Sequence, residues 1–327
     1  MNKRRFGRTG IEVSEVVIGA GWVGGILIDP DPDVMRRALR MALDAGINWI
    51  DTAESYGAGV SEANVGWLVE ELDAAERPGI STKARLDIES SETIASQLDR
   101  KLDASLKRLR MDSVDLYQLH NRIVGRTTGQ DIGVDGMLGA GGIADQFERL
   151  REDGRVRHIG ITALGEVDAL TQVATSGRFD TAQVYYNLIN PSAAMPAGAA
   201  WDDHSFCGLV DACKASDMGM MNIRVFAAGV IATDQRHGRE VPVTAGVDLD
   251  REQRTAHALL EALGDGLGDR AQMALRYALA NPDLSCVVLG LARLEHLETA
   301  LAAVQMGPLP DDALARVKTV HDQRLGS

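Results

Sequence analysis

Apolar side chains follow two alternating patterns along the chain, a helical spacing of three and four residues and short continuous runs typical of buried strands. The continuous runs predict eight strands, at 14–19, 47–53, 79–84, 114–120, 156–162, 180–186, 219–228 and 284–290. The helical spacing predicts helices between and after these strands. They lie at 33–45, 61–73, 166–176, 204–217, 251–263, 268–280 and 293–304. Another begins at Ser90 or Ser91 and ends at 109, and a further one follows the 121–142 loop and ends at 152. Strands separated by helices predict parallel pairing with right-handed crossovers.

Eight strand–helix units are the number that closes into a (β/α)8 TIM barrel, so we expect a single barrel domain over residues 1–327. An open doubly wound sheet is the structural alternative, although it usually has fewer units. Long loops follow three of the predicted strands, at 121–142, 187–203 and 230–250, and such loops at strand carboxyl ends build the active site of a barrel. The first of them is rich in glycine, which predicts a flexible loop with few fixed contacts.

A glycine motif at 16–25, VVIGAGWVGG, has the Gly-x-Gly-x-x-Gly spacing of a dinucleotide-binding turn. That turn requires a helix that opens directly after the glycines and an acidic residue at the end of a second strand about 20 residues later. The next helix instead begins at Asp31 and Pro32, which fit an N-cap and a first helical position, and Asp44 falls on that helix. The motif therefore does not predict a Rossmann turn.

The composition narrows the class of protein. A net charge of −13 argues against nucleic-acid binding, which needs a basic surface. No apolar run approaches the roughly 18 residues of a membrane helix, and the N-terminus lacks the apolar segment of a secretory signal. The three cysteines, Cys207, Cys213 and Cys286, lack metal-ligand spacing and fit reduced thiols. We therefore expect a cytoplasmic enzyme without a nucleic-acid, membrane or metal partner.

Candidate chemistry lies at the ends of the second, third and fourth predicted strands, which carry Asp51, Lys83 and His120, with Tyr56 in the loop after Asp51. In a barrel these ends share one rim. A buried ammonium lowers the pKa of a nearby tyrosine, and a carboxylate keeps that ammonium charged and in place. A histidine donates a hydrogen bond to a carbonyl oxygen, so the set fits protonation of an oxygen during hydride reduction of a carbonyl.

Each of these residues also has a purely structural interpretation. Asp51 fits a helix N-cap, Lys83 a residue lining the barrel rim, and His120 a hydrogen-bonded histidine at a strand end. Singly, each structural interpretation is the better supported one. Their joint occurrence at three successive strand ends favours the functional interpretation.

The segment GINWIDTAESYGAGVSEANVGWLV (46–69) resembles the signature of the aldo-keto reductase family. The segments ISTKARL, VDLYQLHN and EDGRVRHIGITAL resemble the next three motifs of the family in order, and the resemblance extends from FGRTGIEVSEVVIGAG to VVLGLARLEHLETAL. It implies a (β/α)8 barrel with a short N-terminal β-hairpin and an NADP or NAD cofactor extended across the strand carboxyl ends. It also implies an oxidoreductase that acts on an aldehyde, a ketone or a sugar hydroxyl.

The resemblance implies a role for individual residues. Tyr56 is the general acid, and the base in oxidation, and Asp51, Lys83 and His120 complete a catalytic tetrad. The cofactor-binding residues that it implies are Gly21, Trp22, Asp51, Thr162, Gln183, Arg224, Phe226, Ala227, Gly229, Gly290, Arg293 and His296.

The sequence departs from the family at three places. Thr162-Ala163 replaces a usual Ser-Asn pair, and the strand-7 tyrosine has no counterpart, so Phe226 is assigned in its place. Gly290 and His296 occupy the positions of a lysine and an arginine that bind the 2′-phosphate of NADP, which leaves Arg293 as the nearby arginine. The usual cofactor of the family favours NADP, whereas the residues at 290, 293 and 296 leave NAD open as well. The substrate and the oligomeric state are not predicted.

Two other functions remain open. One is a cofactor-binding regulatory or redox-sensing subunit with little turnover, because regulatory relatives keep the tetrad. The other is an unrelated lyase-type barrel in which Lys83 forms a Schiff base with the substrate. The complete tetrad favours the oxidoreductase.

Overall fold

The computed structural model describes residues 1–21, 25–28, 31–201, 204–235 and 248–325. Its centre is a closed barrel of eight parallel strands. In chain order these are β3 (Val16–Gly19), β4 (Trp49–Asp51), β5 (Gly79–Ala84), β6 (Val114–Leu119), β9 (Val156–Ala163), β10 (Thr181–Tyr185), β11 (Gly219–Ile223) and β12 (Cys286–Gly290). β12 pairs with β3 and closes the barrel, so the barrel prediction is confirmed and the open-sheet alternative is wrong.

Helices cover the outside of the barrel and bury one face against the strands. They are α1 (Pro32–Asp44), α2 (Val60–Glu70), α3 (Ile94–Leu109), α4 (Val134–Leu138), α5 (Ile143–Glu152), α6 (Val167–Thr175), α7 (Leu209–Ala215), α8 (Leu249–Leu263), α9 (Arg270–Leu279), α10 (Leu294–Met306) and α11 (Asp311–Leu325). Among the described residues, no helix is long and apolar enough to cross a bilayer.

The helix starts follow the cap chemistry of the sequence, with one correction. Asp31 caps α1 by accepting the amide of Asp33, and Pro32 is the first helical residue, as expected. The cap of α3 is Thr93, whose hydroxyl accepts the Ser96 amide, so the assignment to Ser90 or Ser91 is wrong.

The first glycines of the 16–25 motif end strand β3. In the described part of the chain, a single 3-10 turn at Ile26–Ile28 comes between this strand and α1, which begins only at Pro32. The α-helix that a Rossmann turn requires directly after the glycines is therefore not formed by the described residues, in agreement with the prediction.

A hairpin of β1 (Lys3–Arg5) and β2 (Glu12–Ser14) closes the amino end of the barrel. Its turn carries Phe6, which is fully buried and packs edge-to-face on Trp49 with ring centroids 5.6 Å apart. The same apolar cluster inside the barrel includes Val17, Leu116, Met221 and Cys286. The Arg4 guanidinium donates to the carbonyl oxygens of Leu279, Asn281 and Leu284 and so fastens the hairpin to the barrel.

Strand β11 ends at Ile223, five residues before the predicted end at 228. The backbone turns because Arg224, Ala227 and Ala228 adopt positive φ values of 63°, 47° and 57°, which the apolar pattern does not reveal. Helix α7 is also shorter than the predicted 204–217, and α11 lies beyond the last predicted helix.

The loop at 121–142 is more ordered than its glycine content predicts. It contains the parallel pair β7 (Ile123–Val124) and β8 (Ile132–Gly133) and the short helix α4. Ile123, Ile132 and Met137 are buried in the main core. Gly165 lets the following chain approach this pair closely, because a Cβ there would lie 1.8 Å from the Ile123 carbonyl oxygen. The expectation of few fixed contacts is wrong.

Candidate functional site

Three strand ends and one loop bring the predicted tetrad together. The Lys83 ammonium, at the end of β5, lies 2.7 Å from Asp51 Oδ2, at the end of β4, and 3.3 Å from the Tyr56 hydroxyl. The Tyr56 ring packs edge-on against His120, with centroids 5.8 Å apart. Residues that are far apart in sequence thus form one contiguous group at the carboxyl rim.

Asp51 is held by groups on both sides. The Ser81 hydroxyl and the Gln118 amide donate to Oδ1 at 2.7 and 3.2 Å, while Oδ2 accepts from Lys83. Ser81 itself accepts the indole N–H of Trp49 at 3.0 Å. Because both of its oxygens accept hydrogen bonds, this buried carboxylate holds a fixed direction.

Lys83 is fully buried and directs its ammonium at three acceptors, Asp51, the Thr52 carbonyl oxygen at 2.7 Å and Tyr56. Burial alone lowers the pKa of Lys83, but the Asp51 carboxylate and the Tyr56 phenol outweigh it, and the pKa is raised above its ordinary value. The residue is therefore a charged hydrogen-bond donor. This state disfavours the Schiff-base interpretation, which needs a neutral amine.

His120 follows β6 directly, and its amide donates to the Ala84 carbonyl oxygen at 2.8 Å. Burial, together with the charges of Lys83 and Arg85, lowers the pKa of His120 to about 3. The imidazole is therefore neutral at physiological pH and keeps one N–H to donate. Its Nδ1 is buried and has no hydrogen-bond partner among the described residues.

Apart from Asp51, which belongs to the tetrad, the predicted cofactor residues that the structure describes lie on or directly after the strands of one continuous arc of the rim. The arc comprises five neighbouring strands, β9, β10, β11, β12 and β3, whereas the tetrad occupies the other three, β4, β5 and β6. A bound molecule that follows the arc would lie beside the tetrad at both ends of the arc. The extended cofactor that the sequence implies fits this arrangement.

At one end of the arc, Thr162 of β9 and Gln183 of β10 are direct partners in strand register. Both side chains are buried, and neither Thr162 Oγ1 nor Gln183 Nε2 has a hydrogen-bond partner in the described part of the chain. Buried polar atoms are costly when unpaired. These two fit the donors and acceptors of a carboxamide such as that of nicotinamide.

At the other end of the arc, Gly21 follows β3 and lies beside the phenol of Tyr56. A Cβ at Gly21 would lie 3.7 Å from two atoms of that ring, which is van der Waals contact, so Gly21 packs directly beside the Tyr56 phenol. Trp22 lies outside the described residues. Gly290 ends β12 next to Gly19 of β3, with open space above its Cα.

The middle of the arc is the turn after β11. Arg224 is partly buried, and its carbonyl oxygen accepts the Asn187 amide at 3.0 Å. Burial lowers the pKa of Arg224 although the Tyr185 and Tyr56 phenols oppose it, which puts this guanidinium within electrostatic reach of Tyr56. The neighbouring Phe226 packs partly against the core. The turn continues through the two other predicted residues, Ala227 and Gly229.

Arg293 and His296 lie at the start of α10, after β12. Arg293 is the N-cap residue and is exposed, and His296 Nδ1 accepts the Ala292 amide at 3.4 Å. The site therefore offers a guanidinium and a helix N-terminus to an adenosine phosphate.

Sequence reasoning missed Ser81 and Gln118, the two residues that hold Asp51. Each lies two positions before a predicted site residue, Lys83 and His120, so each faces the barrel interior as well. The strand period of two was the signal that could have found them. The described residues contain no group of three side chains suited to a metal ion.

Comparison with known proteins relates the chain to one family. A sequence model of the aldo/keto reductase family matches residues 15–322. The chain is 27% identical over 302 residues to the L-galactose dehydrogenase of Arabidopsis thaliana, covering 92% of this chain and 87% of that protein. It is 26% identical over 345 residues to the L-glyceraldehyde 3-phosphate reductase of Escherichia coli K12, covering 97% and 91%.

Two further similarities complete the comparison. A putative voltage-gated potassium channel subunit beta of Schizosaccharomyces pombe is 25% identical over 327 residues, covering 92% of this chain and 88% of that one. The fold is that of the aldo-keto reductase AKR11C1 from Bacillus halodurans in its holo form. That structure has a TM-score of 0.74 and 20% identity over 98% of this chain and 96% of the other.

Proposed function

The chain belongs to the aldo/keto reductase family, whose members reduce carbonyl groups with a nicotinamide cofactor, and we propose that Tyr56 is its general acid and base. The substrate is a small aldehyde or ketone, or a sugar hydroxyl in the reverse direction. A bound nicotinamide cofactor would supply the hydride from its C4. The observation that carries this proposal is the hydrogen-bonded series Tyr56, Lys83 and Asp51.

The charges around Tyr56 suit a proton donor. When its hydroxyl gives a proton to the substrate oxygen, a phenolate forms 3.3 Å from the Lys83 ammonium, which stabilises it. Asp51 keeps Lys83 charged and fixes its direction. The neutral His120 donates its N–H to the same substrate oxygen and strengthens the polarisation of the carbonyl.

For the cofactor we propose NADP, with NAD as the alternative. Thr162 and Gln183 would hold the carboxamide, Gly21 and the turn at 224–229 would line the nicotinamide and phosphates, and residues 290–296 would receive the adenosine end. Arg293 is the group that would favour the 2′-phosphate, since guanidinium binds phosphate bidentately. The ratio of kcat/KM for NADPH and NADH, measured beside Arg293→Ala, decides between the two.

The first experiment follows nicotinamide absorbance with a panel of aldehydes, ketones and sugars. We expect Tyr56→Phe to lower kcat by roughly 100-fold or more, the scale of a lost general acid, with cofactor affinity unchanged. The matched control is Tyr117→Phe, because Tyr117 stacks on Phe147 outside the barrel, with centroids 5.4 Å apart. Retention of the full rate by Tyr56→Phe would contradict the proposed role.

A second candidate is a regulatory or redox-sensing subunit with little turnover. The similarity to a putative potassium channel subunit beta favours it. Tight cofactor binding together with the absence of turnover across the panel would support this candidate over the reductase.

We also propose that residues 1–327 form one domain. Contacts that join distant parts of the chain support it, since Arg316 of α11 donates to the Ala262 and Leu263 carbonyl oxygens and Arg4 to that of Asn281. A single cooperative unfolding transition, observed by two spectroscopic probes, is the expected result.

A further inference from the structure

Two carboxylates, one partly buried and one fully buried, flank Tyr56 in sequence and take no part in the proposed chemistry. Glu54 lies two residues before Tyr56, and its side chain is 14% exposed. Glu62 lies six residues after it, in the first turn of α2, and is fully buried. Removing a carboxylate from water costs several kcal/mol unless the charge is paired, so we expect each of these groups to have a partner.

Both carboxylates bind the β5 segment, which is strand β5 together with the next residue, Arg85, on either side of Lys83. Glu54 Oε1 accepts the backbone amide of Arg85 at 2.9 Å, and Glu62 Oε1 accepts the hydroxyl of Thr82 at 2.5 Å. The segment that carries Tyr56 is therefore bonded to the β5 segment once before Lys83 and once after it.

Both carboxylates also bind one face of α3. Lys101 donates to Glu54 at 2.8 Å, and Arg108 donates to Glu62 at 2.6 and 2.7 Å. Lys101 and Arg108 are seven residues apart, which is about two helical turns, so they project from the same side of the helix. Gly59 makes room for this contact, since a Cβ there would lie 2.8 Å from Arg108 Cδ.

The backbone between the two carboxylates forms a tight turn held by local backbone hydrogen bonds, such as that from the Tyr56 amide to the Ala53 carbonyl oxygen at 3.1 Å. Tyr56 begins a short turn in which Gly57 and Ala58 have positive φ values of 59° and 52°, and the turn has no side-chain cap. The contact between Tyr56 and Lys83, at 3.3 Å, is at the long end of the hydrogen-bond range. A displacement of a few tenths of an ångström would break it.

We propose that Glu54, Glu62, Lys101 and Arg108 form a clamp that positions the Tyr56 hydroxyl against Lys83. These are positioning residues, because they act through the Tyr56 turn and through Thr82 and Arg85 of the β5 segment. The inference rests on the proposed role of Tyr56 and extends it to the outside of the barrel. It gives Glu62, in the Ser61-Glu62 pair of the 46–69 segment, a function that the tetrad does not account for.

Ser61 extends the same arrangement to the neighbouring strands. Its hydroxyl donates to the Ala20 carbonyl oxygen at 2.8 Å and shares a hydrogen bond of 2.7 Å with the Thr52 hydroxyl. Thr52 and Thr82 therefore face outward to α2 while their neighbours, Asp51 and Lys83, face inward to the site. Helix α2 is thus bonded to the carboxyl ends of β3, β4 and β5, of which the last two supply Asp51 and Lys83.

The test compares Thr82→Val with Thr82→Ser in the full-length protein with cofactor. Valine keeps the volume and removes the hydroxyl that Glu62 binds, whereas serine keeps the hydroxyl. We expect Thr82→Val to lower kcat by roughly 10- to 100-fold, as for a misplacement of about 1 Å, with the KM for cofactor unchanged. Thr82→Ser should restore the rate to within about threefold, since the hydrogen bond is regained.

The pH profile separates positioning from simple destabilisation. In the oxidation direction the rate needs the phenolate, so a looser contact with Lys83 should move the half-maximal rate of Thr82→Val to higher pH. The charged and titratable groups around Tyr56 are Lys83, Asp51, His120 and Arg224, and none of them is replaced in these variants.

Glu54→Gln and Glu62→Gln are the second pair of variants, and Asp180→Asn is their matched control. Asp180 is a buried carboxylate that accepts the Ile159 amide at 3.0 Å and an Arg151 N–H at 3.3 Å, before β10 at the opposite end of the barrel. All three variants should lower the melting temperature. Only the two glutamate variants should lower kcat per folded enzyme and shift the pH profile.

The outcomes distinguish this proposal from the one on which it rests. If Tyr56→Phe abolishes turnover but Thr82→Val and both glutamate variants keep the wild-type rate and pH profile, the clamp is wrong and the role of Tyr56 stands. If Tyr56→Phe is fully active, both proposals are wrong. A matching loss of kcat in Asp180→Asn would also overturn the clamp, because it would reflect stability alone.

Discussion

The two ends of the barrel interior are built from the same strands and have opposite chemistry. At the amino end Trp49 and Leu116 pack with Phe6 of the hairpin in a dry apolar cluster. Two residues further along the same strands stand Asp51 and Gln118, which are polar and joined by a hydrogen bond. Because side chains alternate along a strand, each pair projects into the same interior at successive levels. The apolar cluster that stabilises the barrel and the polar site that is proposed to react are therefore only two residues apart along each strand.

The two ends also differ in how completely their polar groups are bonded. At the amino end the guanidinium groups of Arg4 and Arg8 satisfy carbonyl oxygens of the barrel floor. At the carboxyl end His120, Thr162 and Gln183 each keep a buried polar atom without a partner in the described part of the chain. An apolar end with bonded arginines favours stability, whereas an end with several spare donors and acceptors favours the binding of a ligand.

Replacement of Lys83 should give the largest effect. We expect Lys83→Met to lower kcat by about 100- to 10,000-fold, since it removes the charge that stabilises the phenolate. It should also cost roughly 3–5 kcal/mol in the free energy of unfolding, because the Asp51 carboxylate is left buried and unpaired. The double variant Asp51→Asn, Lys83→Met should regain stability without activity. Equal stability losses in the single and double variants would contradict this account.

At the amino end, Phe6→Ala should separate stability from rate. The side chain is fully buried, so its loss should cost about 3–5 kcal/mol in the free energy of unfolding, as is typical of a large cavity. The kcat of the protein that remains folded should equal that of the wild type. Urea denaturation and initial rates, measured on one preparation, check both parts. A parallel fall in kcat would show that the two ends are coupled.

The lowered pKa of His120 predicts how the free energy of unfolding depends on pH. Its native pKa of about 3 lies below the ordinary 6.5, so between these values the unfolded chain binds a proton that the native protein does not. Stability therefore falls as the pH falls, by about 2 kcal/mol between roughly pH 7.5 and 5 from this group. His120→Asn should remove that part of the pH dependence in urea unfolding. An unchanged dependence would show that His120 already takes up its proton in the native state.

Thr162→Val should give the smallest effect. Valine keeps the shape of threonine and removes a hydroxyl that has no partner among the described residues. Cofactor affinity should weaken by about three- to tenfold, the worth of one net hydrogen bond. The melting temperature without cofactor should not fall. Fluorescence titration with NADPH is the measurement, and unchanged affinity would remove Thr162 from the proposed carboxamide site.

The barrel could be predicted from the sequence because each strand is a continuous apolar run bounded by turn residues. The grouping of Asp51, Lys83 and His120 followed from the same pattern, since parallel strand ends share one rim. Tyr56 lies in a loop, and the resemblance to the family was needed to give it a role. Its catalytic role is still a prediction.

The features that the sequence did not reveal depend on tertiary contacts. The left-handed conformation of Arg224, Ala227 and Ala228 ends β11 early, and no local preference of these residue types favours it. The order in 121–142 comes from the packing of Ile123 and Met137 in a core formed by distant segments. The composition of a loop does not show which distant segments will pack against it. The glycine content of this loop therefore predicted flexibility.

The hairpin also constrains when the barrel can be finished during synthesis. Arg4 binds carbonyl oxygens that lie 275, 277 and 280 residues downstream, in α9 and just before β12. At about 5–20 residues per second, a ribosome needs tens of seconds to make that stretch. The Phe6 side chain lacks part of its apolar pocket in the nascent chain for the same time, because Met221 of β11 and Cys286 of β12 complete that pocket. Residues 1–10 thus reach their native contacts only after the strands that close the barrel have been made.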